Sequence, residues 1–408
     1  MSESQSQSPP PYISSAKYFA ALTAVSVGAM AVAFRDLGAF KPSVLQSPMC
    51  LEQPWVKEYS IARPANELLC TLNTFFASVS TSKGGEAFTS YFGGVFLATV
   101  LVTVYEGFRP SSRRSAGKDG AGSTEGFGMR LGVAQLSTVA LAISQVITAG
   151  IALPAYYALV SWSTPRHWRK HHHKVDLGDE VFFLSDAARE RALKKKPKHS
   201  IQYNANVPRS SYLYTTLVAT LVGFVLPSVV VKLAPAEHKY DAQSAWQIYP
   251  TCMFLINVTL PPLLRRGFSG VTPKVGIVLI ALLGIAGSLR AQYDLFTHLQ
   301  EGNDSLKDIF TVERVNQLSW AAHRLLVTDF VLVTLAAGSK VLLALARRTR
   351  AGAGGKTLYA VILLASAVVI GPGASIMAMW AYGELVALRD SREYTEAKEA
   401  KEVQPKVQ

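Results

Sequence analysis

The sequence predicts an all-α protein, a polytopic integral membrane bundle of about eight transmembrane helices plus one amphipathic or re-entrant helix. Two observations predict it. Only 17% of the 408 residues are charged, 49% are hydrophobic and the mean hydropathy is +0.21, whereas a soluble chain carries about 25% charged residues. The charges also collect between long stretches that carry almost none. This composition excludes a disordered chain, and three cysteines are too few for a disulfide scaffold.

Eight apolar stretches come close to the roughly 20 residues that a helix needs to cross a bilayer. They are Lys17–Ala33, Phe88–Phe108, Met129–Trp162, Tyr212–Lys232, Ala245–Leu264, Val275–Leu295, Trp320–Leu345 and Leu358–Leu388. The third and the eighth are too long for one perpendicular crossing, so either they tilt or Pro154 and Pro372 break them. The first is short, and a cleaved signal peptide is its alternative interpretation.

The domain organisation follows from these stretches. Residues 1–16 and 390–408 are polar tails, and residues 17–389 form the bundle, with a basic loop over residues 163–210. The segment Ala62–Val79 carries its leucines and phenylalanines on one helical face. Such a helix either lies on the membrane or packs on the bundle, and the sequence favours neither.

Basic residues alternate between the loops and set the expected orientation. They gather in residues 166–209, 265–274 and 347–356, while residues 294–313 are acidic. The positive-inside rule places the basic loops in the cytosol, and with eight crossings both termini would be luminal. The basic residues at 109–118 lie on the wrong side for this rule. Asn303 begins an N-D-S sequon and is a glycosylation candidate if its loop is luminal. The expected location is the endoplasmic reticulum or a related endomembrane.

Polar residues inside or at the edge of a span are costly to bury, and each is a functional candidate. The candidates are Glu106, Arg109, Gln135, Trp246, Gln247, Tyr293, Asp294, His323, Arg324, Asp329, Trp380, Tyr382 and Glu384. With eight alternating crossings, all of them fall in one half of the membrane, which predicts a pocket that opens from one face. Asp329 is the deepest, and a carboxyl group at that depth must be paired or neutral.

Other site motifs are weak. The histidine-rich stretch Arg166–Lys174 is better explained as a basic loop that faces anionic lipid headgroups than as a metal site. Cys50, Cys70 and Cys252 lack metal or redox spacing. The sequence contains no phosphate-binding loop, no dinucleotide-binding glycine pattern and no GxSxG motif. We therefore expect no metal and no nucleic-acid partner.

Several short motifs together resemble a known family. They are RPANELLCTLNTFF, a span that ends in EGFR, then AWQIYP, LLVTDF and GPGASIMAMWAYGELVALR. In this order they are similar to the fungal membrane-bound terpene cyclases of the ascofuranone and ascochlorin type, which act in meroterpenoid biosynthesis. The likeness extends from about Trp55 to Arg389. It implies a protonation-initiated cyclase of the isomerase or lyase type, which acts on a lipophilic prenylated small molecule in the bilayer. Since no diphosphate leaves, it implies no magnesium or other cofactor.

The resemblance also implies roles for the polar residues. Asp329 would be the acid that protonates an epoxide or alkene, and Glu106 would be a second acid or the hydrogen-bonding partner of Asp329. A further set would bind substrate: Trp246, Tyr249 and Trp380 as faces that stabilise the cation, Gln247 as an orienting group, and Arg109 and Glu384 with less defined roles.

Two other functions compete with a cyclase. A small-molecule transporter, such as an efflux protein of a biosynthetic cluster, would have a similar composition, although transporters usually contain internal repeats that this sequence lacks. A non-catalytic scaffold that docks through the basic loop is the third. The sequence leaves the oligomeric state open.

Overall fold

The fold is described from a computed structural model. It describes residues 11–38, 70, 72–79, 84–108, 133–172, 210–267, 272–302, 305–310, 318–349 and 351–403. Within these ranges the backbone is helical apart from short turns, and no strand is present. The all-α class is therefore confirmed. Six helices are long and apolar enough to cross a membrane, so the chain is compatible with a multi-pass membrane protein.

The helices are numbered in chain order. They are α1 (Pro11–Gly38), α2 (Gly85–Gly107), α3 (Val133–Ile147), α4 (Ala149–His172), α5 (Ser210–Thr220), α6 (Leu226–Leu233), α7 (Lys239–Trp246), α8 (Tyr249–Gly267), α9 (Pro273–Gln300), α10 (Leu306–Phe310), α11 (Leu318–Arg348), α12 (Ala353–Ile370) and α13 (Pro372–Val403). A π-helical turn, Leu221–Val225, joins α5 to α6, and a short 3-10 turn, Ala236–His238, precedes α7. Residues 72–79 form a further short helix.

Contacts between side chains show that α2 and α11 run in the same direction. Phe88, near the start of α2, lies 5.3 Å from the ring of His323, near the start of α11. Glu106, at the end of α2, pairs with Lys340 in the second half of α11. We call the end of the bundle at which α2 and α11 begin the near end, and the opposite one the far end.

The other long helices can be placed against this pair. α9 runs antiparallel to α2, because Ser288 donates a hydrogen bond to the Gly94 carbonyl while Gly284 lies against Leu101. α13 runs towards the far end, where Glu384 pairs with Arg348. α1 runs from the far end to the near end. Its Tyr18 hydrogen-bonds Ser339, and its Asp36 pairs with Arg324.

The third predicted span is a helical hairpin. α3 and α4 pack against each other, and Ser137 of α3 faces Tyr156 of α4. In one straight helix these two residues would lie about 28 Å apart, at 1.5 Å per residue. Both open ends of the hairpin lie at the far end, where Tyr157 hydrogen-bonds Thr103 of α2. The segment therefore turns back at Thr148, inside the bundle, and not at Pro154.

This hairpin corrects the expected orientation of the termini. Because α3–α4 begins and ends at the far end, α2, α4, α8 and α11 all end there. The basic residues at 109–118, like the other basic loops, therefore follow a helix that ends at the far end, and α1 begins there while α13 runs towards it. The expectation that the termini face away from the basic loops was wrong because it counted residues 129–162 as a crossing.

The eighth predicted stretch is broken at Pro372, which confirms one of its two alternative interpretations. α12 ends at Ile370, Gly371 has a positive φ of 82°, and Pro372 begins α13. Glycine adopts this left-handed conformation without steric cost, and proline fits the first turn of a helix. At the ends of the chain, α1 begins at Pro11 and α13 continues to Val403, so helix extends into both segments predicted as polar tails.

Small residues bring α2 and α9 close together. A Cβ added to Gly94 would lie 2.6 Å from the Ala291 Cβ, whereas one added to Gly93 would meet nothing within 4 Å. Close helix approach through glycine, alanine and serine is a common way to pack helices in membranes. The α2–α9 contact therefore depends on the absence of a side chain at residue 94.

Gly94→Val should lower the stability of the folded protein by about 1–3 kcal/mol, because the added methyl groups force α2 away from α9. Thermal unfolding in detergent measures this loss. Gly93→Val is the matched control, since it places the same β-branched residue in the same helix without a clash. Equal melting temperatures of the two variants would show that the close approach contributes nothing.

Candidate functional site

Asp329 lies at the tip of the hairpin. Its side chain is 7% exposed, and its Oδ1 accepts a hydrogen bond of 2.5 Å from the Gly150 N–H, in the first turn of α4. The Ala149 N–H and the Thr148 hydroxyl are also close to this carboxyl group. The first N–H groups of a helix have no partner within the helix and carry a partial positive charge. Asp329 therefore caps α4 from a different helix.

The break that delivers the α4 N-terminus has local causes. Thr148 has a φ of 74°, a conformation that is uncommon for residues other than glycine. Gly150 lets α11 approach, because an added Cβ would lie 2.8 Å from the Asp329 Oδ1 and 2.9 Å from the Leu332 Cβ. The position of the Asp329 carboxyl group therefore depends on the turn at Thr148–Gly150, and the turn depends on the hydrogen bond to Asp329.

A series of aromatic rings extends from the near end to the residue beside Asp329. Successive ring centroids lie between 5.1 and 5.8 Å apart. The aromatic series, in order, is Trp246, Tyr249, Phe224, Phe96, Phe92 and Phe330. Phe88, Tyr91 and Phe310 extend it around Phe330. The faces of such rings attract cations, most strongly where water is excluded.

Buried polar groups without partners lie at the start of α8. In the described part of the chain, neither the oxygen nor the nitrogen of the Gln247 amide has a hydrogen-bond partner, although the residue is only 7% exposed. The hydroxyl of Tyr249 is buried in the same way, with Ser144 and Gln145 of α3 close by. Because a buried polar group without a partner costs free energy, such a group is a candidate contact for a ligand or a water molecule.

A second polar cluster lies at the far end, and we call it the far-end ion pairs. The Lys340 Nζ lies 3.4 Å from Glu106 Oε2, and an Arg348 guanidinium nitrogen lies 2.6 Å from Glu384 Oε1. The Tyr105 hydroxyl donates a hydrogen bond of 2.6 Å to Glu384. Each carboxylate thus has a cation beside it, which is how buried charges are normally tolerated.

Trp380 borders these ion pairs. Its ring meets Tyr105 edge to face at 4.8 Å, and its indole N–H is buried without a partner. It lines a narrow crevice between α11 and α13, together with Glu106, Lys340 and Arg348. Aromatic and charged side chains therefore meet at the far end as well, but on a different set of residues from those around Asp329.

The predicted single polar layer is wrong. Tyr249 lies near Asp329, and Trp246 contacts Tyr249, with Gln247 between the two in sequence. Glu106, Trp380 and Glu384 belong to the far-end ion pairs instead. Lys340 lies eleven residues after Asp329, or about 16 Å along the axis of α11. The prediction counted α3–α4 as one crossing, and this placed Glu106 at the same end as the starts of α8 and α11, whereas it lies at the opposite end. It also counted α12 and α13 as one span, and this placed Glu384 at the wrong end in the same way.

The remaining predicted residues lie outside both clusters. Asp294 pairs with Lys232 at 2.7 Å and with Arg290 at 2.9 Å, near the surface. Tyr293 and Tyr382 are exposed, while His323 is buried and hydrogen-bonds the Ile309 carbonyl. Other members of the predicted set fall outside the described residues or side chains, namely Arg109, Asn303, Gln135 and the histidine-rich stretch.

Four functional-site residues were missed by the sequence analysis. Lys340 and Arg348 carry the cations of the far-end ion pairs, and Lys340 sits in an apolar run where a charge is itself a signal. Thr148 and Gly150 form the hairpin tip, and no pattern in the sequence distinguishes them from other small residues. Among the described residues, no group of three or more histidine, cysteine or acidic side chains converges on a point where a metal could bind.

The chain matches no model of a known family, no characterised protein and no solved structure. The likeness to fungal membrane-bound cyclases therefore rests on the short motifs alone.

Proposed function

We propose that this protein is an integral-membrane terpene cyclase that protonates the epoxide or alkene of a prenylated substrate and drives a cationic cyclisation in meroterpenoid biosynthesis. One observation carries the proposal. The carboxyl group of Asp329 is buried in the interior of an apolar bundle, and Tyr249 of the aromatic series is close enough to interact with it electrostatically. Phe330, the next residue in the sequence, forms one end of that series. An acid, surroundings that exclude water and aromatic faces are the three things that such a cyclisation requires.

In this mechanism Asp329 gives its proton to the epoxide oxygen or to an alkene carbon. The Gly150 N–H holds Oδ1 and stabilises the carboxylate that is left, so the proton would be carried on Oδ2. The substrate cation passes along the chain as each alkene attacks the next carbon. Loss of a proton, or attack by an internal hydroxyl group that then loses its proton, ends the reaction. The product has the mass of the substrate, and the proton returns to the carboxylate.

The other residues act around this centre. Trp246 and Tyr249 face the travelling cation, and the Gln247 amide binds a polar group of the substrate. Glu106 is a poor proton donor where it is paired with Lys340, and we assign it and Glu384 to holding the far end of the bundle together. Trp380 belongs to that end. The proposed glycosylation of Asn303 stands, whereas Arg109 follows Glu106 by three residues in the sequence and is no longer proposed to bind substrate.

We further propose eight membrane crossings, formed by α1, α2, the α5–α6 pair, α8, α9, α11, α12 and α13, with α3–α4 as a re-entrant hairpin. The far end then faces the cytosol, because the helices that precede the basic segments end there. Cys70 is disulfide-bonded, and it precedes the helix at 72–79, whose Phe76 contacts Trp246 at the near end. Since disulfides persist in oxidising compartments, this supports a luminal near end in the endoplasmic reticulum.

The test is a product assay. Microsomes that contain the full-length protein are incubated with a panel of farnesylated phenols, with and without a terminal epoxide, and the extracts are analysed by chromatography and mass spectrometry. The proposal predicts a new isomer of unchanged mass from at least one substrate. If none of the panel is cyclised by folded protein, the assignment to this reaction is wrong.

One observation favours transport as a second function. A helix interrupted inside the membrane, with its N-terminus beside a buried carboxyl group, is a feature of many secondary transporters. Sealed proteoliposomes loaded with the same phenols separate the two functions. Transport predicts directional flux of unaltered compound that responds to a proton gradient, whereas a cyclase predicts an isomeric product without a gradient.

A further inference from the structure

The seam between α5 and α8 contains polar side chains that the proposed mechanism does not use. Thr220 ends α5 and is fully buried, and Asn257 of α8 is 4% exposed. Among the residues that the structure describes, neither the Thr220 hydroxyl nor either polar atom of the Asn257 amide has a hydrogen-bond partner. Buried groups of this kind are rare, because each loses its water without gaining a replacement.

The two residues lie at the same level of the seam. α5 and α8 are antiparallel here, since the Phe224 ring lies 5.1 Å from Tyr249, and a Cβ on Gly223 would lie 2.5 Å from the Met253 Cγ. One turn further along this register, Thr220 comes opposite Asn257. The buried residues Tyr249, Met253 and Asn257 recur at every fourth position and so share one face of α8.

Thr220 lacks the hydrogen bond that the other threonines of α5 make, and it lies next to the π-helical turn. Thr215 and Thr216 each donate to the carbonyl four residues earlier, which is how threonine is normally satisfied inside a helix. Thr220 immediately precedes the π-helical turn Leu221–Val225 and makes no such bond. Interruptions of this type are common at functional sites, where polar groups that a regular helix would pair internally can contact a ligand instead.

The two segments that form the seam contain no charged side chain. Residues 210–231 and 242–264 contain no aspartate, glutamate, lysine, arginine or histidine. A charged ligand would have no counter-ion from these segments, whereas a hydroxyl or carbonyl group can satisfy both an amide and a hydroxyl. Asn257 lies eight residues beyond Tyr249, or about 12 Å along α8, so the seam continues the aromatic series.

We propose that Thr220 and Asn257 form a polar subsite that hydrogen-bonds the uncharged, oxygen-bearing head group of the lipophilic substrate, while its prenyl chain lies along the aromatic series. This inference rests on the proposed function for the identity of the substrate. The binding step itself requires neither Asp329 nor turnover.

The test measures binding of two probes to the full-length protein in lipid nanodiscs. One probe is a farnesylated resorcinol with a diazirine on its prenyl chain, and the other is its di-O-methyl ether, which cannot donate hydrogen bonds. Thr220→Val and Asn257→Leu should each weaken binding of the resorcinol probe by about fivefold to tenfold, as expected for one lost hydrogen bond. Binding of the ether should change far less.

Thr259→Val is the matched control, because Thr259 is on the exposed side of α8 and already donates to the Leu255 carbonyl. It should alter binding of neither probe. Since valine has nearly the shape of threonine, Thr220→Val remains informative if Asn257→Leu does not fold. Equal effects on both probes, or no effect on either, would overturn the subsite.

Asp329→Asn separates this inference from the cyclase. If this variant still binds the resorcinol probe more tightly than the ether probe, while no variant and no wild-type protein cyclises a substrate, the subsite is supported and the assignment to a cyclase is wrong. If the wild-type protein cyclises farnesylated phenols but Thr220→Val binds both probes normally, the subsite alone is wrong.

Discussion

Asp329→Asn is expected to abolish cyclisation while the protein remains folded. The asparagine oxygen can still accept the Gly150 N–H, so the cap on α4 is kept, but the amide has no acidic proton to give. General acids contribute about 100-fold to 10,000-fold to a rate, so turnover should fall by at least about 100-fold. The measurement is isomeric product formed per amount of folded protein, with the melting temperature determined in parallel.

Asp294→Asn is the matched control, because it makes the same chemical change at the near end on a carboxylate that pairs with Lys232 and Arg290. It should retain nearly full turnover. Undiminished activity of Asp329→Asn, at unchanged protein level, would remove this residue from the role of acid. An equal loss in both variants would point to a general effect of charge.

Arg348→Met is expected to be the most destabilising single change at the far end. Glu384 is fully buried, and Arg348 is its cation at 2.6 Å. Removing one partner of a buried ion pair leaves the other charge uncompensated, which costs about 3–5 kcal/mol. Thermal or denaturant unfolding of the purified protein should therefore show a large loss.

The double variant Arg348→Met/Glu384→Met should recover part of this loss, because apolar side chains can replace a buried ion pair at little cost. Arg290→Met provides the surface comparison, since its ion pair with Asp294 is exposed on the arginine side and should contribute at most about 1 kcal/mol. If Arg348→Met were no worse than Arg290→Met, the far-end ion pairs would not hold the bundle together.

The sequence predicted the fold class and much of the span pattern because composition decides both. Long uncharged stretches specify helices in a bilayer, and Pro372 after Gly371 marked the break between α12 and α13. The hairpin was not predicted, because its turn uses Thr148 at positive φ, with neither glycine nor proline at that position. The sequence contained one sign of the hairpin, the cluster of basic residues at 109–118. With α3–α4 counted as a crossing, this cluster broke the alternation of basic and acidic loops, and with α3–α4 as a hairpin it does not.

The candidate site was predicted in part for a related reason. Asp329 stood out because depth in an apolar helix can be counted along the sequence, and the proximity of Trp246 to Tyr249 follows from their spacing. The grouping of Glu106 and Glu384 with Asp329 depended on the end of the bundle to which each helix points. That relation is a property of the whole topology, so one error in counting crossings moved both carboxylates to the wrong end.

The position of the proposed site depends most on α3–α4 entering and leaving the membrane at one end, since this brings Gly150 to Asp329. Glycosylation acceptor sequences inserted in residues 109–132 and, separately, in residues 173–209 test it in microsomes, with the native Asn303 sequon as the luminal reference. Both inserted sequences should stay unmodified while the Asn303 sequon is glycosylated. Modification of the first insertion but not of the second would require α3–α4 to cross the membrane, and would contradict the placement of the site.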